Sequence, residues 1–176
     1  MNKKILIVVD MQNDFTTGSL GTKEAQAVIP NVIEKIKEYE KNGDAVVFTQ
    51  DTHYDNYLET QEGKLLPVEH CIQGTDGWNI CGDIYKQVNV SNKASIGKET
   101  FGSIKLVEYL NGRSEIELIE LIGVCTDICV VSNAILLKAF MPEVHIKVDG
   151  SCCAGVTPEK HEAALEVMRS CQIEVV

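Results

Sequence analysis

The sequence predicts an α/β fold, a three-layer α/β/α sandwich built on a parallel, doubly wound sheet of about six strands. Short β-branched runs alternate with stretches of helical period, the order expected when each strand is followed by a covering helix. The first run, Ile5-Leu6-Ile7-Val8-Val9, is apolar without a break, as a strand buried on both faces should be. Each later run is bounded by a capping or breaking residue.

That first strand stops at Asp10. Val28, Ile29, Val32, Ile33, Ile36 and Tyr39 then recur at helical spacing and end at Asn42-Gly43, a helix stop. Residues 45–49 form the second strand. Residues 52–82 hold no sustained period, and so long a connection inside a compact domain is usually functional. Val88-Asn89-Val90 is the expected third strand. Ser103 caps a helix whose Leu106, Val107 and Leu110 face inward, with Gly112 after it. Residues 116–124 are the strongest later strand. Thr126 and Asp127 open a helix ending before Pro142, and residues 144–148 are the next strand. Thr157-Pro158 starts the last helix, with Ala164, Val167, Met168 and Cys171 inward, ahead of a strand at 173–176.

A length of 176 residues fits one domain, 1–176. Sixteen Lys and Arg against 26 Asp and Glu give a net charge of −10, a field that repels phosphate backbones and anionic lipid, so neither nucleic acid nor membrane is an expected partner. The apolar run ended by Asp10 is too short for a spanning helix or an export signal, which points to the cytoplasm. Seven cysteines, an odd number, read as reduced thiols, and their spacings lack the paired CxxC of a structural zinc site.

Parallel sheets bind ligands beyond the carboxyl ends of their strands, so polar residues there carry weight. Asp10 ends the first strand, Asp51 follows the second, Lys93 follows the expected third, and Cys129 lies in the first turn of the helix after the fourth. Taken singly, these could be a turn cap, a solvated lysine and an inert core thiol. Together, a carboxylate, an ammonium and a thiol at a helix amino terminus form a nucleophile with its base and electrostatic partner, the thiol pKa lowered by helix and lysine. Asp51 and His53 point the same way along an extended segment. His70 could complete a two-His-one-carboxylate site for zinc, manganese or iron, or the two histidines could be surface residues. His145 and His161 read as structural, and Cys152-Cys153 as a redox-active pair or, equally well, as a strand-to-helix turn of small residues.

Five segments carry a family likeness: Asp10-Met11-Gln12-Asn13-Asp14-Phe15, Asp51-Thr52-His53, the run from Leu66-Pro67 through His70-Cys71-Ile72-Gln73-Gly74-Thr75, Lys93 with Phe101 downstream, and Gly123-Val124-Cys125-Thr126-Asp127-Ile128-Cys129-Val130. The sequence resembles the isochorismatase-like cysteine hydrolases, and within them the metal-dependent nicotinamidase branch. The resemblance implies strand order 3-2-1-4-5-6 and hydrolysis of a primary carboxamide, nicotinamide to nicotinate and ammonia, through a cysteine thioester. It implies Asp10 as base and acid, Lys93 as its charge partner, Cys129 as nucleophile, and Asp51, His53 and His70 as ligands of a divalent metal, zinc first, with manganese or iron as alternatives. It further implies a cis Val124–Cys125 peptide, an oxyanion hole from the backbone N–H groups of Cys125 and Cys129, Phe15 and Val124 against the substrate, and a homo-oligomer.

The sequence departs from that branch at Thr52, Tyr54 and Leu66, residues of the expected ring-binding wall. Rival readings are a metal-independent amidohydrolase for N-carbamoyl or ureido substrates and a catalytically silent binding module. An isochorismatase proper, whose dianionic substrate needs no cysteine, and a Cys125–Cys129 redox pair rank lower.

Overall fold

The computed structural model describes residues 3–113 and 115–176. Among these, six strands form one parallel sheet: β1 (Lys4–Val9), β2 (Ala45–Asp51), β3 (Ala94–Lys98), β4 (Leu118–Val124), β5 (His145–Ala154) and β6 (Glu174–Val175). Their order is β3-β2-β1-β4-β5-β6, with every pairing parallel. The apolar run of β1 is fully buried at the centre, its Ile5, Leu6, Ile7, Val8 and Val9 all at 0% exposure. Reversal of strand order between β1 and β4 opens the crevice that such sheets use for ligands.

The helices are α1 (Asn13–Thr16), α2 (Lys23–Ala27), α3 (Ile29–Asn42), α4 (Gln61–Leu65), α5 (Gly82–Gln87), α6 (Ile104–Asn111), α7 (Val131–Phe140) and α8 (Pro158–Ser170). Helix α3 buries Val32, Ile33, Ile36 and Tyr39 against the sheet and ends on Gly43 at φ 73°, a left-handed cap that glycine adopts without a Cβ penalty. Ser103 and Thr157 cap α6 and α8 by accepting from Leu106 N and Lys160 N, as their positions predicted.

Two expectations about strands are corrected. The third strand is Ala94–Lys98, not residues 88–90: Val88 is a buried plug after α5, and Val90–Asn92 is a 3₁₀ turn. Valine's β-branching marks apolar burial as well as extension, and here burial won. Cys152 and Cys153 lie within β5, which runs longer than 144–148, rather than in a turn.

Under α3 the sheet carries a polar cluster. Lys35 bridges Glu120 of β4 at 3.3 Å and Asp149 of β5 at 2.8 Å, and Tyr39 Oη donates to Glu120 at 2.5 Å. Burial pushes the Asp149 carboxyl up, but Lys35 and Ser151 outweigh it and hold the group below its ordinary 3.8. A depressed carboxyl stabilises the fold fully above its unfolded pKa and loses that contribution as pH falls through the folded value. Asp149→Asn, which loses charged hydrogen bonds worth about 1.5–3 kcal/mol each, lowers the melting temperature at neutral pH by about 3–12 °C. The gap to the parent narrows below about pH 4; thermal melts at pH 7 and pH 3.5 check both, and a constant gap refutes the ionic origin.

Candidate active site

Asp10 sits where β1 ends, at φ 47°, a left-handed conformation that Asp tolerates better than most residues. The turn aims its carboxylate into the crevice beside β4. Thr49 Oγ1 donates to Asp10 Oδ1 at 2.6 Å. Asp10 Oδ2 faces the Lys98 ammonium at 2.6 Å yet makes no well-aligned hydrogen bond, leaving a fully buried oxygen turned into the site. Directly across the ladder from Val9 lies Gly123, φ 115°, where a Cβ would meet Val9 O at 2.1 Å. Only glycine permits β1 and β4 to run this close.

After β4 comes a cis Val124–Cys125 peptide, then a π-helical turn, Thr126–Val130, leading into α7. Cys129 lies in that turn with Sγ 3.4 Å from Lys98 Nζ. The turn is anchored from both sides. Thr126 Oγ1 and His161 Nδ1 of α8 are 2.8 Å apart, and Asp127 accepts from Val156 N at 2.9 Å. Asn133, fully buried, donates to Cys129 O at 2.8 Å and to Phe101 O at 3.1 Å while accepting from Ser103 N. One amide thus ties the cysteine segment to the loop after β3.

Lys98 is the last residue of β3 and pairs in register with Asp51. Its ammonium is buried among Asp10, Asp51 at 3.2 Å, Thr100 O and Cys129. Burial opposes the charge, but the Asp10 carboxylate, with Cys129 and the Asp51 carboxylate beside it, holds Lys98 well above its usual range. Lys93, expected in this group, is not in it. It precedes β3 at the opposite end of the strand, about 16 Å away along the chain, and is engaged by Glu40 and Asn89 O. The physical reason is the misplaced third strand: the carboxyl-end rule, applied to Ala94–Lys98, selects Lys98.

The expected lowering of the Cys129 thiol is also corrected. Burial pushes it well up and the Asp10 carboxylate adds to the rise, with Lys98 opposing. Asp10 too is raised by burial against the pull of Lys98. The resting sulfur is therefore a thiol, and ionisation has to be coupled to a proton acceptor at the moment of attack.

Beside this trio, ligand atoms of Asp51, His53 and His70 all lie within 4.8 Å of one another, the three residues buried. Both Nε2 atoms turn toward Asp51 Oδ2, at 3.1 and 3.5 Å. His70 Nδ1 is 2.8 Å from Val68 O, a contact that leaves Nε2 as the free lone pair, the arrangement typical of a metal-bound histidine. Burial raises the Asp51 carboxyl, but bonds to His53 and His70 and the Lys98 charge overcome it and keep Asp51 well below the carboxylate range. Two imidazoles and an ionised carboxylate converging on one point fit a divalent cation.

Lys98, Glu62 and Gln12 were missed from the sequence. Glu62 Oε1 stands 3.7 Å from both histidine Nε2 atoms and is the next acidic group able to reach the same cation. Gln12, fully buried, clamps Asp51 by donating to Asp51 O and accepting from Asp51 N. A glutamine three residues past a buried strand is a legible oddity, whereas Glu62 stands in the short helix α4, inside a stretch whose sequence shows no sustained period, and gives no signal. Phe15 packs its ring 5.6 Å from His70, and Val124 is buried at the cis bond. Cys125 is partly buried.

Outward from Ile128 and Thr100 opens a cavity of about 740 Å3, bounded by His53 and Tyr57 and rimmed by Tyr54, Leu66 and Phe101. Its charged lining residues are Glu62 and Glu99, with no Lys or Arg.

A family model described as the isochorismatase domain matches residues 4–176. The chain is 33% identical over 173 residues to an uncharacterized isochorismatase family protein, PncA, of Bacillus subtilis, covering 93% of this chain and 92% of that one. The crystal structure of nicotinamidase/pyrazinamidase PncA from Bacillus subtilis superimposes with a TM-score of 0.86 at 30% identity, covering 99% of both chains. Pyrazinamidase of Pyrococcus horikoshii, solved in complex with zinc, gives 0.82 at 30% identity over 99% of this chain and 98% of that one.

Proposed function

Because the chain belongs to the isochorismatase family, we propose that it is, as one domain, a cysteine amidohydrolase that converts nicotinamide to nicotinate and ammonia. One observation carries the chemistry: Asp10 and Cys129 meet on a single buried ammonium, Lys98, at 2.6 and 3.4 Å, beside a cluster suited to a metal. The names of the relatives, nicotinamidase and pyrazinamidase, support the substrate class.

Asp10 Oδ2 takes the Cys129 proton as sulfur attacks the amide carbon, so no free thiolate is needed beforehand. Lys98 balances the negative charge that Asp10 carries before this transfer and the site carries after it. Backbone N–H groups of Cys125 and Cys129 hold the tetrahedral oxyanion, an effect worth about 3–4 kcal/mol per donor. Protonated Asp10 then passes its proton to the departing nitrogen, and ammonia leaves as the thioester forms. Water, deprotonated by Asp10, cleaves the thioester to the acid and restores the thiol. Asp51, His53 and His70, with Glu62 in reach, would hold the divalent ion, zinc by analogy with the Pyrococcus protein. When bound, the ion supplies a Lewis-acidic anchor for a ring nitrogen.

The cavity lining argues against carboxylate-bearing substrates. N-carbamoyl amino acids and isochorismate carry carboxylates, and a mouth whose charged side chains are two glutamates, with no Lys or Arg, disfavours them. Ammonia release from nicotinamide tests the proposal. Treatment with a chelator lowers turnover by at least about tenfold and stoichiometric divalent metal restores it, a loss in line with disrupted metal sites. Unchanged kinetics in metal-free protein reject the metal assignment, and absence of any ammonia from the metal-loaded enzyme rejects the substrate.

A further inference from the structure

Resting on that reading, we propose that the natural range of this site extends to fused two-ring heteroaromatic carboxamides, neutral molecules larger than nicotinamide. The first observation is size. A cavity of about 740 Å3 lies well inside the ~300–1,000 Å3 range that houses drug-sized ligands. The cavity meets the site at His53 of the metal cluster and at Thr100 and Ile128, chain neighbours of Lys98 and Cys129, which do not themselves line it, so a single-ring amide held at Cys129 reaches at most this inner end and leaves the outer end at Leu65 and Leu66 unfilled.

The second observation is what lines that outer end. Tyr54, Leu65, Leu66 and Phe101 are 45%, 80%, 38% and 48% exposed, and all four border this one cavity. Large apolar side chains left in water singly are ordinary, but four around a single mouth mark a surface that something apolar covers. Their form narrows what it is. Tyr54, Tyr57 and Phe101 present aromatic rings, which favour flat, π-bearing partners over branched aliphatic ones.

Charge narrows it again. Glu62 and Glu99 admit neutral or cationic rings and disfavour a carboxylate. Leu66 lends itself to a test because it lines this cavity, which Asp10, Lys98 and Cys129 do not line. The expected ligand is therefore a fused ring amide whose first ring takes the place of nicotinamide and whose second lies against Tyr54, Leu66 and Phe101.

The metal-loaded enzyme is assayed with nicotinamide and with quinoline-3-carboxamide, following ammonia and the acid product. The expected result is a kcat/KM for the two-ring amide within tenfold of that for nicotinamide, or above it. A two-ring value more than tenfold lower, with nicotinamide hydrolysed, overturns the inference and leaves the proposed reaction standing. If neither amide is hydrolysed, the proposed reaction fails and this extension fails with it. Leu66→Trp, checked for folding by its melting temperature and metal content, lowers the two-ring to one-ring ratio of kcat/KM at least fivefold. An unchanged ratio in the folded variant overturns the assignment of the outer ring to this wall.

Discussion

Lys98→Met lowers ammonia release by about 10²–10⁴-fold, the range for losing a group that carries charge through a proton-transfer step. Lys93→Met leaves turnover within about twofold, as expected for a lysine that pairs with Glu40 at the far end of β3. The contrast is the decisive part, since the two lysines are five residues apart, one just before β3 and one at its end. Lys98→Met also leaves Asp10 and Asp51 buried without their shared counter-charge. Removing one partner of a buried pair costs about 3–5 kcal/mol, equivalent to roughly 6–20 °C in melting temperature for a chain of this size. Turnover is therefore measured at a temperature where circular dichroism shows the variant folded. Equal loss in the two variants, or none in Lys98→Met, removes Lys98 from the chemistry.

Cys129→Ala abolishes turnover, by at least about 10⁴-fold, because the remaining groups can polarise an amide but cannot form the covalent intermediate. The fold survives: the change deletes one sulfur from a buried position, costing about 1 kcal/mol. Metal content stays at the parental level, since Asp51, His53 and His70 do not depend on the sulfur. A Cys129→Ala protein that binds metal, melts near the parent and still releases ammonia at the parental rate excludes the thioester route. Since burial and Asp10 keep this thiol protonated at rest, a general alkylating agent reacts with it slowly at neutral pH, far more slowly than with the exposed thiol of Cys171.

Much of the fold is written in local pattern. The apolar run of β1, the helical period that ends at Gly43, and the Ser103 and Thr157 caps each state their structure within a dozen residues. Local hydrogen bonding and burial determine them before any distant segment matters. The strand that misled was Ala94-Ser95-Ile96-Gly97-Lys98, an edge strand with one β-branched residue. It is extended because β2 offers it a ladder, from Val47↔Ala94 to Asp51↔Lys98, and nothing in its own composition demands it.

Asp10, Cys129 and the Asp51-His53-His70 cluster were nameable from the sequence because each follows an element that is easy to place or lies in a distinctive motif. Which lysine joins them was not, since the choice between residues 93 and 98 turns on where a weak strand begins and ends. Nor could sequence show the protonation of Cys129. A helix amino terminus and a nearby lysine both favour thiolate, and the outcome reversed because complete burial beside Asp10 penalises a second negative charge more than those two effects relieve it. Element type is a short-range property carried by neighbouring residues. The identity of the ammonium, the charge on the sulfur and the room left for a substrate depend on distances between segments a hundred residues apart, and those exist only once the sheet has assembled.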